Sequence, residues 1–331
     1  MKKLKTLILT RKDVECCIDM TKAIRAVEEA FGQYALGRAR MPSKIYLDVK
    51  EFNGDFRAMP AYIAKSCRSS LKWVNAHPQN ARSGLPAVMA VIILNDAKTG
   101  FPLSIMDGTY ATSIRTGAGA AVAAKYLARK DSSVVGLVGC GVQARTQLLA
   151  LRKIFKIKEV RVRGYDISSA KNFMSQMKIV REQMAMAKSI EACVRGCDIV
   201  VTTTPSRAPI VKAKWISPGT HFNAIGADAR GKQELDPQIL RTAKVVVDDW
   251  AQASHSGEIN VPLEQGVISR KDIYAELGEI VCGQKPGRAN AKEITVFDST
   301  GLAIQDTAIA DVIFRAAIRQ KIGRYVNFVG I

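Results

Sequence analysis

The sequence predicts an α/β protein in which a doubly wound parallel sheet is joined to a second, sheet-rich α+β domain. Three observations point there. The chain has 331 residues, and at ~150 residues per domain that length suggests two domains. A β-branched run, Ser133 to Val138, ends in the glycine-rich turn Gly139 to Ala144, and strand and helix patterns alternate behind it, as a parallel sheet with crossover helices requires. The first hundred residues read differently, as one helix and then a succession of strands.

The N-terminus, MKKLKTLILTRKD, starts like a signal peptide, but its apolar stretch stops after Leu7, Ile8 and Leu9 and no small-residue cleavage pattern follows, so a cytoplasmic protein is expected. Asp19 to Leu36 is an amphipathic helix with apolar Met20, Ile24, Val27, Ala30, Phe31 and Leu36. Strands are expected at Lys44–Val49, Phe56–Met59, Ser70–Val74 and Ala87–Leu94, separated by turn residues. The small-residue helix Ala111–Leu127 leads into the second domain. There the strand Ser133–Val138 and helix Gln143–Ile154 are followed by a strand Val160–Tyr165, and Ile167, Ser168 and Ser169 open a helix with a serine placed to cap it. Further strands are expected at Asp198–Thr203, His221–Ile225, Val245–Asp248 and Ile294–Phe297, and the helix Leu302–Gln320 is expected to return to the first domain. The expected division is therefore 1–115 with 303–331 as one domain and 116–302 as the other.

Composition narrows the function classes. The 49 basic and 30 acidic residues leave a formal charge of +19, which raises nucleic acid as a partner. Cations are nevertheless interspersed with acids throughout, the only dense cluster is Lys2, Lys3 and Lys5, and aromatics make up only 6%, so a solvated basic surface is expected and no nucleic-acid partner. The longest apolar run, Leu85–Leu94, is far shorter than the ~20 residues of a membrane-spanning helix. The seven cysteines are odd in number and scattered, which fits reduced thiols in a core. Cys193 and Cys197 lack neighbouring His or Cys to complete a metal site, and none is expected. His77, His221 and His255 show no partner spacing and read as buried or solvated residues.

The turn GCGVQA has the G-x-G-x-x-A form of a Rossmann-type dinucleotide site. Gly139 permits the tight turn, Gly141 lets the backbone approach a diphosphate, and Ala144 allows helix to pack on strand. Asp166 closes the second strand about 20 residues on, where it can accept from a ribose 2′-hydroxyl and repel a 2′-phosphate. NAD is the cofactor this implies.

Other polar residues stand where folding alone does not ask for them. Lys72 lies between apolar neighbours in SLKWVNAHP, either a desolvated lysine suited to proton transfer or a snorkelling one on an exposed strand face. Arg57 in FRAMP and Arg115 in SIRTG could hold a carboxylate or a phosphate, though structural ion pairs are the simpler reading. Asp228 follows a strand end, where open α/β sheets place ligands, and could equally cap a turn.

These residues carry a resemblance that runs nearly end to end. MPSKIYLD (41–48), FRAMPAY (56–62), LKWVNAHPQN (71–80), LPAVMAVIILND (85–96), SIRTGA (113–118), GCGVQA, VVTTTPSR (200–207), NAIGADARGKQELD (223–236), GEIN (257–260) and TVFDSTGLAIQD (295–306) together make the chain similar to the ornithine cyclodeaminase and mu-crystallin family, closest to its archaeal-type alanine dehydrogenase members. The resemblance places the family's catalytic lysine on Lys72 and its acid near the nicotinamide on Asp228. It puts Arg115 where cofactor and substrate meet. It assigns cofactor contacts to Val142 and Gln143 at the phosphates, to Tyr165, Asp166, Ile167 and Ser168 at the adenosine ribose, to Gly226, Ala227 and Asp228 at the nicotinamide, and to Thr203 and Ser299. It further implies a homodimer built through the first domain's sheet.

One position divides the family. Cyclodeaminases are expected to hold the distal amine of their substrate with a glutamate just ahead of the Met-Pro step, whereas this chain has Arg57 there, a cation that repels an ammonium and attracts a carboxylate. Lys44 stands where cyclodeaminases use an arginine, and Ala87 replaces a common threonine. The resemblance thus implies NAD-dependent oxidative deamination of L-alanine, with the carboxylate on Arg57 helped by Lys44, Lys72 moving protons and Asp228 polarising water. A ketimine or imine reductase and a cyclodeaminase for another amino acid are the enzyme alternatives, and a nucleotide-keeping crystallin-like protein the non-catalytic one.

Overall fold

A computed structural model describes residues 4–177 and 184–330; Lys2 and Lys3 of the basic cluster lie outside the described residues. The chain divides into two compact units, Met1–Arg115 with Leu302–Ile331, and Thr116–Gly301. Among the described residues no helix is long and apolar enough to cross a membrane.

The first unit is built on a mainly antiparallel sheet. Its strand order is Arg324–Val326, Thr6–Leu9, Pro102–Asp107, Val88–Asp96, Arg68–Ala76, Gly54–Ile63 and Ala39–Arg40, with Ile45–Val49 also paired to Gly54–Ile63. Thr6–Leu9 runs parallel to Pro102–Asp107. Side chains alternate along each strand, so Met59, Lys72 and Ile92, which stand opposite one another in register, share one face. The helices Met20–Ala35 and Ala303–Gln320 pack on each other, and the latter covers the central strands. The amphipathic pattern expected for Asp19–Leu36 is realised as Met20–Ala35, with Asp19 as a cap whose side chain accepts from the Lys22 N–H.

The strand expected at Phe56–Met59 continues through Pro60 to Ile63. A proline has no N–H to give to a ladder. Here the flanking partners stop short of it: Ile45–Val49 pairs with residues 54–58 and Ala39–Arg40 with residues 62–63, so Pro60 sits in the gap between them. The strands Thr6–Leu9, Pro102–Asp107 and Arg324–Val326 were not expected; each is short, and the first two pair with one another across almost a hundred residues of chain.

The second unit carries an all-parallel sheet in the order Met184–Met186, Glu159–Arg163, Val134–Val138, Ile199–Thr202, His221–Ala224, Thr295–Asp298, Lys244–Val247 and Ile273–Glu276. Val135, Leu137, Val160, Val162, Ile199 and Val201 belong to one buried cluster, and Val138, Val200, Phe222, Ala224, Val245 and Val247 to another. Alternate residues of the same strands thus feed the two faces, as a sheet covered on both sides requires. From Val134–Val138 the chain winds outward to one edge and then returns to Ile199–Thr202 on the other side. The carboxyl ends of these two neighbouring strands therefore flank the switch point where such sheets place a ligand.

Candidate functional site

In the second unit, the turn after Val134–Val138 has the geometry its glycines imply. Gly139 sits at φ +111°, and a Cβ there would collide with the Thr203 hydroxyl, so no other residue fits without displacing the neighbouring strand end. Gly141 is exposed, and a Cβ built on it would meet no heavy atom within 4 Å. It is also the N-cap of the helix Val142–Ile154 and offers no side-chain cap. The first N–H groups of that helix therefore face open space with the positive end of its dipole. The donor set fits a diphosphate.

Beside this turn, Glu159–Arg163 ends two residues earlier than expected, and the helix Ile167–Gln176 is capped by Asp166 rather than by a serine. The Asp166 carboxylate accepts from the Ser169 N–H at 2.7 Å, a bond that holds its pKa below the usual carboxylate range. Asp166 remains exposed, as do Tyr165, Ile167, Ser168 and Val142. Three exposed apolar side chains, Val142 at 56%, Tyr165 at 99% and Ile167 at 56%, ring a strand end where folding alone gives them nothing to cover.

Further along the same carboxyl edge, buried acids tie down the loops. Glu234 accepts from the Thr204 N–H at 2.6 Å, the Thr204 hydroxyl at 2.7 Å and the Gly226 N–H at 2.9 Å. Glu258 accepts from the Glu234 and Leu235 N–H groups, and Asp298 from those of Glu258 and Ile259. Burial pushes the Glu234 carboxyl up, and burial with Glu234 alongside pushes Glu258 up further. The loop Gly226, Ala227, Asp228 is thus held from beneath. Asp228 pairs with Lys232 at 2.5 Å. Ser299 is buried and donates its N–H to the Ala224 carbonyl at 3.0 Å, and Thr203 donates its hydroxyl to the Val138 carbonyl. Gln143 accepts from the Thr146 hydroxyl within the helix's first turns.

In the first unit, Lys72 is 0% exposed, which settles the choice between a desolvated and a snorkelling lysine. Its Nζ lies 2.8 Å from Asp306 Oδ2, and Arg115 Nε donates to Asp306 Oδ1 at 3.1 Å. Burial, with Arg115 and Lys44 nearby, outweighs the attraction of Asp306 and brings the Lys72 pKa down to about 7. A lysine poised there can both give and take a proton near neutral pH. Arg57 faces the same side of the sheet: Val74, its register partner, is two residues from Lys72. Arg57 is held by Asp55 through two bonds, 2.7 Å from Nε and 3.1 Å from Nη2, with the Tyr46 ring 5.2 Å away. The structural ion pairs expected for Arg57 and Arg115 are thus present. Lys44 immediately precedes the strand Ile45–Val49 that pairs with Arg57's strand.

Asp306 and Gln305, which accepts from Arg115 Nη1 at 3.1 Å, were not singled out from the sequence. A signal was there. Arg68, Ser70 and Lys72 are polar at alternate positions of one strand, and they meet Asp311, Thr307 and Asp306 of a single helix. A row of polar residues on an inward strand face requires such a partner row. Among the described residues no cluster of three His, Cys, Asp or Glu could hold a metal ion. Cys193 and Cys197 are buried, their thiols bonded to backbone carbonyls and pushed up to about 12 by burial.

Comparison with known proteins adds to this geometry. A sequence model of the ornithine cyclodeaminase/mu-crystallin family matches residues 4–321. The chain is 53% identical over 329 residues to the alanine dehydrogenase of Archaeoglobus fulgidus, covering 98% of this chain and 99% of that one. Among solved structures, an archaeal alanine dehydrogenase dimer with bound NAD superposes with a TM-score of 0.94 at 53% identity, covering 98% of this chain and 100% of the other. The Delta(1)-pyrroline-2-carboxylate reductase of Thermococcus litoralis, in complex with NADH and L-proline, gives 0.94 at 41% identity, covering 97% and 100%.

Proposed function

The chain belongs to the ornithine cyclodeaminase/mu-crystallin family, and from that premise we propose that it oxidatively deaminates L-alanine to pyruvate and ammonia, with NAD as the hydride acceptor. The observation that carries the reading is the wholly buried Lys72, with a pKa near 7, on the same sheet face as the carboxylate-binding candidate Arg57. Glutamate at position 57 would welcome a diamine; arginine does not.

NAD would be held by the Gly139 and Gly141 turn, the N-terminus of Val142–Ile154 with Val142 and Gln143, the Tyr165 to Ser168 segment, Thr203, Ser299 and the Gly226 to Asp228 loop. When bound, it would supply the hydride acceptor for Cα of alanine. Everything else is done by side chains. Arg57, helped by Lys44, binds and orients the substrate carboxylate, and Arg115 serves at the cofactor side. Loss of the Cα hydride from the neutral amine leaves an iminium ion, whose carbon is the electrophile in the next step. Water, polarised by Asp228, adds to the iminium carbon. Lys72 accepts a proton from the new hydroxyl and passes one to nitrogen as the carbon–nitrogen bond breaks and ammonia leaves. The reverse sequence aminates pyruvate.

The protein is also proposed to be a cytoplasmic homodimer. Ile45, Leu47, Trp73 and Val91 are 63%, 55%, 43% and 47% exposed on the sheet face opposite Lys72, an apolar surface of the kind that a partner subunit covers. The deciding experiment is a steady-state screen of amino acids with NAD, and of keto acids with ammonia and NADH, read at the NADH band. Alanine-driven NADH formation that disappears in Lys72→Ala, with NADH binding retained, is the expected result. A cyclic imine reduced in preference to pyruvate and ammonia, or no net NADH from any amino acid, would overturn the assignment.

A further inference from the structure

Within the first unit, Lys72 and Arg115 share a single carboxylate. Lys72 Nζ is 2.8 Å from one oxygen of Asp306 and Arg115 Nε is 3.1 Å from the other, and the three residues are 0%, 6% and 0% exposed. Two buried cations on one anion leave a net positive charge that the interior disfavours. A proton leaving Lys72 removes that excess and leaves a neutral Arg115–Asp306 pair. The carboxylate itself is well anchored: it lies in the first turn of the helix Ala303–Gln320, where the helix dipole favours a negative charge, and Thr307 next to it is bonded to Ser70 at 2.7 Å.

We propose that Asp306 is a positioning residue for Lys72: by sharing its carboxylate between Lys72 and Arg115 it fixes the lysine amine in one place in both protonation states and leaves Arg115 and Asp306 as a neutral pair when the proton departs. The groups facing Lys72 within this unit are Asp306 from the covering helix, Arg115 from the helix Gly108–Leu127, and Lys44. Its register neighbours Met59 and Ile92 carry no charge. Arg57 stands one pair further along, neutralised by Asp55. Asp306 is therefore the anion that decides how readily Lys72 keeps its proton. The inference rests on the proposed role of Lys72.

The test uses full-length protein with lysines labelled at the ε-carbon, without nucleotide, so that it does not depend on turnover. The resonance missing from Lys72→Met identifies Lys72, and its pH titration is compared with that in Asp306→Asn. The expected midpoint is lower in the variant by about one pH unit or more, because an attractive charge has gone while Arg115 remains. In alanine oxidation, the pH profile of kcat moves the same way and kcat falls by about tenfold or more. Asp306→Glu keeps the charge but moves it by one methylene. It is expected to leave the midpoint within about half a unit while still lowering kcat about tenfold, and it keeps the question open to test if Asp306→Asn does not fold. An unchanged midpoint in folded Asp306→Asn, or full kcat in Asp306→Glu, overturns the proposal. Retained alanine oxidation in Lys72→Ala would instead remove the catalytic role of Lys72, while the titration still reports on Asp306.

Discussion

Replacing Lys72 by methionine keeps an unbranched side chain only one atom shorter and removes its charge, and the effect on stability should depend on pH in a calculable way. The folded protein holds the Lys72 pKa at about 7 against an ordinary value of 10.5. The folded value is the lower one, so the stability associated with this group is fully present above 10.5 and is lost as pH falls through about 7. At about 1.4 kcal/mol per pH unit, the gap is worth about 5 kcal/mol for a side chain that no solvent screens, being 0% exposed. The methionine variant has no such slope. Its stability minus that of the unaltered protein should therefore rise by about 4 kcal/mol between pH 10 and pH 7, whatever constant offset the loss of the Asp306 partner introduces. Urea unfolding of both proteins at several pH values, followed by circular dichroism, measures this difference. A difference that changes by less than about 1 kcal/mol across that range would refute the premise that folding forces Lys72 toward its neutral form.

Three other outcomes are expected. Gly141→Val puts a side chain into the space over the helix N-terminus without backbone strain, since Gly141 is extended at φ −80° and ψ −170°; thermal stability should change by only about 0.5 kcal/mol, while NADH titration shows binding weakened by about tenfold or more. Asp166→Ser retains a capping oxygen, so its helix should stay intact, but the ratio of kcat/KM with NAD to that with NADP should fall as the repelling carboxylate disappears. Glu234→Gln exchanges one acceptor oxygen for a donor that faces N–H groups, at about 1–3 kcal/mol, and hydrogen exchange should accelerate at the Thr204 and Gly226 amides; unaltered protection there would show that the buried carboxylate is not what pins these loops.

What the sequence makes legible follows from how local each signal is. The strand, turn and helix around Gly139 and Gly141 are specified by residues adjacent in the chain, and the parallel sheet behind them by a repeating alternation. Lys72 could be placed on a strand from its apolar neighbours, but its burial depends on a helix that arrives more than two hundred residues later, and the same distance hides Asp306. The end of the strand before Asp166 is misplaced for a different reason: aspartate and serine both cap helices, and only the backbone geometry shows that Asp166 takes the role. Strands of three or four residues such as Thr6–Leu9 and Arg324–Val326 owe their existence to distant partners rather than to their own sequences.

The route of the chain also orders its synthesis. Residues 116–301 form one uninterrupted unit and can fold while the ribosome is still at work. The first unit waits, because Ser70 and Thr307 are separated by 237 positions and Arg68 and Asp311 by 243. Until the helix Ala303–Gln320 emerges, the nascent sheet carries Lys72 without its counter-ion and an apolar face without its cover. The last helix to be made is the one that covers the first sheet, so a chain released after residue 301 would hold a finished second unit and an unfinished first one.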